Sequence, residues 1–168
     1  INSIGSSVTA QTDPVIPQPA WKATVIDSTA DGKSAASATF NSVPTLAYTD
    51  SKSGALKLAM LNEKVWKKIT VDGTGGTAGR TKNPITGQIS MCVNGTGTKQ
   101  LLHIFYSDSV DKDLRYATYD GKKFTFEVVD GNALLINKFE DPIRVRGSSD
   151  VSVTNACVAS ATGIQVFY

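Results

Sequence analysis

Two stretches of this chain carry one pattern. Residues 48–73, "YTDSKSGALKLAMLNEKVWKKITVDG", align without a gap to residues 106–131, "YSDSVDKDLRYATYDGKKFTFEVVDG", at an offset of 58. Tyr48/Tyr106, Asp50/Asp108, Ser51/Ser109, Leu56/Leu114 and Ala59/Ala117 are identical, as are Lys64/Lys122, Val71/Val129, Asp72/Asp130 and Gly73/Gly131. Lys57/Arg115 and Trp66/Phe124 are chemical equivalents. A repeat this short cannot bury its own apolar faces, so the copies must pack on one another.

The repeat reads as β-strands. "AASATF" (35–40), "PTLAYTD" (44–50), "ALKLAML" (55–61) and "WKKITVDG" (66–73) are short, rich in β-branched and aromatic residues, and separated by turn residues. The second round is "QISMCVN" (88–94), "QLLHIFYSD" (100–108), "DLRYATYD" (113–120) and "KFTFEVVDG" (123–131). A third begins with "DVSVTNACVAS" (150–160) and "GIQVFY" (163–168), and Tyr168 falls where Tyr48 and Tyr106 stand. "WKATVID" (21–27) matches a fourth strand alone, because Trp21 and Asp27 have the spacing of Trp66 and Asp72. No stretch keeps a 3.6-residue apolar period with caps. The Gly/Thr-rich run 74–87 reads as a loop and "LINKFEDP" as one short turn. Residues 1–20, with three prolines, read as an extended arm.

Units of four short strands repeating every 40–60 residues or so are the mark of β-propeller blades. The predicted fold is all-β, part of a propeller of four-stranded antiparallel blades. Residues 21–27 form the closing outer strand of the last blade, 35–73 blade one, 88–131 blade two, and 150–168 the first half of blade three. A ring takes about four blades or more. The expectation is therefore that another chain supplies the remainder: a second polypeptide from a nicked precursor, or copies of this one. A β-sandwich built from the same strands is the alternative.

Composition narrows the class of function. The 168 residues carry a net charge of +2 with 19% charged residues, and no Lys/Arg cluster interleaved with aromatics. Nucleic acid is not an expected partner. No apolar run has the length of a membrane span. The first residue is Ile1, which a removed signal or propeptide would explain, and the Ser/Thr/Gly/Asn-rich composition points to a secreted protein. Cys92 and Cys157 both fall in first strands and are candidates for a disulfide between neighbouring units. Nothing has metal-ligand spacing, and no cofactor is expected.

"FYSDSVDKDLRYATYDGKKF" resembles blades of secreted propellers of the fungal fucose-specific lectin type, and bacterial propeller repeats that read "AYxDxxxGxLKYAxxDGxxW". The resemblance covers 21–73 and 88–131, and 150–168 in part. It implies a carbohydrate-binding propeller in which an Arg late in strand two and a Glu in strand three hold the sugar beside an aromatic ring. Thr45, His103 and Gln165 stand at the Arg position here, and Leu58 and Tyr116 at the Glu position, so neither blade keeps the pair. The Asp-box of sialidase-type propellers, S-x-D-x-G-x-T-W, is absent.

Candidate ligand-binding residues are His103, Arg115, Tyr116, Tyr119, Asp50 and Asp108. Tyr116, Arg115 and His103 offer an aromatic platform beside polar groups. His103 lies in the apolar strand "LLHIF", where a structural histidine is the stronger reading. Asp50 and Asp108, each followed by Ser, either present a carboxylate to a ligand or close an Asx turn. Recurrence favours the turn, since every hairpin needs one. Trp66 and Phe124 read as packing residues between blades. The expected function is a secreted, non-enzymatic binding module for glycans. The alternatives are a glycan-active hydrolase or lyase with its catalytic residues elsewhere, and a structural or adhesive assembly protein.

Overall fold

The structure, a computed structural model, describes residues 22–73, 80–131, 135–136, 142–144, 151 and 153–168. The arm 1–20, Trp21 and residues 74–79 of the Gly/Thr-rich loop lie outside the described residues. The described chain is all-β, apart from one 3₁₀ turn at Gly97–Lys99. β1 (Ala30–Phe40), β2 (Val43–Asp50), β3 (Leu56–Asn62) and β4 (Val65–Asp72) form one antiparallel sheet in chain order. β5 (Ile85–Asn94), β6 (Leu101–Asp108), β7 (Leu114–Tyr119) and β8 (Phe124–Asp130) form a second in the same order. β9 (Leu135–Ile136) and β10 (Pro142–Arg144) make a small antiparallel pair at the two ends of the segment 135–142 read as one short turn. β11 (Ala156–Ser160) and β12 (Gly163–Phe167) form a hairpin.

The repeat extends to irregularities. The β3–β4 ladder shifts register between Leu56/Asp72 and Lys57/Thr70, which leaves Val71 as the extra residue. The β7–β8 ladder does the same at Val129. β1 and β5 each carry a bulge, after Ala30 and after Thr86. These bulges place the strand starts earlier than the sequence predicts, at Ala30 against 35 and Ile85 against 88. The glycine of "ITGQ" that reads as part of a loop is Gly87, held at a φ of 70° inside the bulged strand. β11 begins later than predicted, at Ala156. Just before it, the buried Asn155 side chain donates to the Gln88 carbonyl at 2.6 Å and accepts from the Ser90 hydroxyl. The backbone of the β5 bulge is thus satisfied by neighbours, with Ile89 N–H donating to Ser34 Oγ at 2.8 Å.

First strands lie against first strands: β1 packs on β5 and β5 on β11. The core fills the space between the two sheets. Ala47, Leu56 and Leu58 of the first sheet meet Leu102, Ile104, Ala117 and Tyr119 of the second, with Phe40 and Ile89 from the first strands. Strand alternation fixes this arrangement, since every second residue of β2 and β3 points to the second sheet. The Cys92–Cys157 disulfide joins β5 to β11, with Cα atoms 5.8 Å apart. Of the segment 21–27, read from the sequence as a strand completing a blade from elsewhere, the described residues 22–27 form no ladder with any described strand.

Candidate functional site

One polar cluster is built twice and begun a third time. Asp72 ends β4 of the first sheet. Its carboxylate accepts from the Tyr106 phenol of β6, and Arg115 Nε of β7 stands 3.4 Å from it. Thr81 in the linker donates its N–H to Asp72 at 2.8 Å and its hydroxyl to Asp108. One unit earlier, Asp27 takes the place of Asp72. It accepts from the Tyr48 phenol at 2.6 Å and from Thr29 N–H at 3.0 Å, with Lys57 Nζ 3.7 Å away. Thr29 Oγ donates to Asp50 at 2.8 Å, as Thr81 does to Asp108. In the third unit Tyr168 donates to Asp130 at 2.6 Å. Tyr48 and Tyr106 lie near the ends of the second strands β2 and β6 and Tyr168 just past β12, while Asp72 and Asp130 end the fourth strands β4 and β8 of the sheet before. The cluster is therefore a clasp from one sheet to the next.

Electrostatics follows from these bonds. The Tyr48 phenol and Thr29 hold the Asp27 carboxyl well below its usual range. The Lys57 ammonium and two turn amides do the same for Asp50, and Lys57 is raised in return. Burial lifts the Tyr48 and Tyr106 phenols, and their aspartate partners add to it. Burial alone would raise Asp108. Donors from Thr81, Asp111, Val110 and Asn83 outweigh it and leave the carboxyl lowered.

The predicted site residues divide among three places. Asp50 and Asp108 close turns, accepting from Lys52 and Ser53 N–H in one sheet and from Val110 and Asp111 N–H in the other, at 2.9 and 3.0 Å. Arg115 and Tyr119 lie on the face of β7 turned to the first sheet. His103 and Tyr116 lie on the opposite face, because adjacent residues of a strand point opposite ways. The expected platform of Arg115, Tyr116 and His103 is therefore not assembled. His103 is buried and satisfied: Nε2 stands 2.9 Å from Asn94 Oδ1 and Nδ1 2.5 Å from the Tyr116 phenol. Asn94 Oδ1 can only accept, so Nε2 carries the proton and Tyr116 donates to Nδ1. Burial lowers the pKa of His103 and raises that of Tyr116 to about 12. His103 is also the cross-strand neighbour of Cys92, beside the disulfide.

A groove of about 280 Å³ opens between the two sheets at the end where the β1–β2, β3–β4 and β7–β8 hairpins turn. Phe40 and Tyr119, with ring centroids 5.8 Å apart, form its floor with Met60. Asn41, Asn62 and Lys67 form the rim, all exposed. Tyr119 is fixed by stacking on Phe124 at 4.4 Å and by donating to the Gly121 carbonyl at 2.9 Å. Asn41 N–H donates to Gln100 Oε1 at 2.6 Å, which ties the β1–β2 turn to the second sheet. Sequence reasoning found Tyr119 and missed the rim, whose residues share no spacing or motif. Comparison with known proteins returns no match: no family model, curated protein or solved structure aligns with the chain.

Proposed function

We propose that the two sheets and the third hairpin are consecutive blades of a β-propeller, and that it is a secreted, non-enzymatic carbohydrate-binding module. The clasp supports the ring reading. Three tyrosines reach three aspartates in one direction along the chain, from each unit to the one before. A stack that advances by one repeated contact between neighbouring first strands suits a ring better than a two-layer sandwich. Residues 22–27 then wait for a third strand from beyond the described residues, and β12 for another. A second polypeptide or copies of this chain supply them.

The observation that carries the binding reading is the groove. An aromatic floor with a rim of amides and one amine, between rigid sheets, is what a sugar ring needs: an apolar face to lie on and donors for its hydroxyls. The disulfide is in keeping with an oxidising compartment, and no helix among the described residues is long and apolar enough to cross a membrane. A glycan array probed with the purified chain tests the proposal, with reducing-sugar release measured on the same glycans. Binding without release is expected. Release would favour the hydrolase or lyase, and neither binding nor release would favour the assembly protein.

A further inference from the structure

We infer that the inter-sheet groove takes an acidic saccharide, and that Lys67 reads the carboxylate of a uronic acid unit. The inference rests on the carbohydrate-binding reading and goes further by assigning a charge and a residue.

Lys67 and Lys68 are adjacent on β4 and point to opposite faces. Lys68 lies 3.5 Å from Asp27, in the first clasp, and Lys57 pairs with Asp50 and Asp27. Lys67 instead lines the groove, and no carboxylate among the described residues pairs with it. A primary amine beside two primary amides, Asn41 and Asn62, combines a cation with groups that both donate and accept. That set fits a sugar ring bearing one carboxylate and neighbouring hydroxyls. The floor of Phe40, Met60 and Tyr119 fits the apolar face of the same ring.

The surroundings agree. At the hairpin-turn end of the two sheets, the described turns carry Lys64, Lys99, Lys122 and Lys123 against Glu63 and Asp120. Asp120 is bound into its own turn by the N–H groups of Lys122 and Lys123, both at 2.8 Å. The aspartates of the clasps lie at the opposite end, where the β2–β3, β4–β5 and β6–β7 connections run. An acidic chain longer than one ring thus meets further lysines as it leaves the groove. Lysine is suited to this task as a mobile point charge that accepts a range of carboxylate directions.

The test is titration of the full chain with a galacturonate tetramer and with its fully methyl-esterified form, which has the same ring and no charge, followed by NMR and calorimetry. The acid should bind about tenfold or more tightly than the ester, the range of a charge-assisted hydrogen bond. Lys67→Gln should lose about tenfold for the acid and little for the ester. Lys52→Gln, an exposed change at the far end, should lose neither. Shifts should fall on Asn41, Asn62 and Tyr119. Equal binding of acid and ester, or equal loss in the Lys52 and Lys67 variants, overturns the assignment and leaves the carbohydrate-binding reading intact. Binding of neutral array glycans with no binding of the tetramer does the same. No binding to any glycan overturns both.

Discussion

Tyr106 and Tyr168 make the same bond in unequal surroundings, and that difference can be measured. Tyr106 is fully buried and Tyr168 is 53% exposed. Tyr106→Phe leaves the buried Asp72 without its phenol donor, and urea unfolding should show a loss of about 1–3 kcal/mol. Tyr168→Phe lets water replace the donor and should cost less. The titrating side chains set the acid response. Asp27 and Asp50 have folded pKa values below their unfolded ones. Their contribution is therefore full above about pH 5 and is lost progressively as pH falls from the unfolded carboxylate value near 4 through the lower folded values. His103 is lowered too, so the unfolded chain takes up its proton first. Stability should begin to fall below about pH 6.5, before the carboxylates respond. In His103→Gln, unfolding curves between about pH 5 and 7 should be flat, while the loss below pH 5 remains.

The connections between elements are as specific as the strands. Gly54, in the β2–β3 turn, has a φ of 68°, and a Cβ there would lie 2.6 Å from Pro84 Cβ. Its carbonyl receives Ile85 N–H at 2.8 Å, which starts β5 from the first sheet. Gly54→Ala combines a left-handed backbone with a collision, so it should destabilise by about 1–3 kcal/mol in thermal or urea unfolding. The disulfide is the covalent tie between β5 and the β11–β12 hairpin, closing 65 residues. By loop entropy such a closure is worth about 4 kcal/mol. With both cysteines replaced by serine, amide exchange should quicken in 156–167 and change little in β2, β3, β6 and β7. Uniform quickening would mean that the hairpin and sheets unfold as one unit.

At the scale of the molecule, the outer face of the third hairpin is bare. Val158 is 50% exposed and Phe167 60%, and β12 pairs with only β11 among the described strands. On the equivalent face of the first sheet, Ala47 and Leu58 are fully buried against the second. An open strand edge beside exposed apolar side chains favours association. Sedimentation of the 168-residue chain should therefore show self-association that weakens in Phe167→Lys. A compact monomer at high concentration would count against the ring and for a closed sandwich.

The repeat itself was legible in the sequence, because strand alternation and turn residues are local properties. Tyr48, Tyr106 and Tyr168, together with Asp72 and Asp130, stand out by recurrence alone, and Trp21–Asp27 marks Asp27 as one of the set. Cys92 and Cys157 could be paired by their equivalent strands. What recurrence could not supply was the partner of each residue. The linkers differ in length: Thr29 follows Asp27 by two residues and Thr81 follows Asp72 by nine, so an ungapped alignment never brings the two threonines together. The bulges were hidden because Gly87 reads equally well as the end of a loop. Sequence placed Arg115 and Tyr116 side by side, yet the pleat sends one to Asp72 and the other to His103. The groove is the furthest from any local signal. Asn41, Asn62, Lys67 and Tyr119 come from one hairpin turn and from strands of two sheets, and they converge only because apolar burial of Phe40, Leu58 and Ile104 docks those sheets face to face. Pattern along the chain thus determined the strands and their repetition, and the packing of one sheet on the next decided which side chains meet.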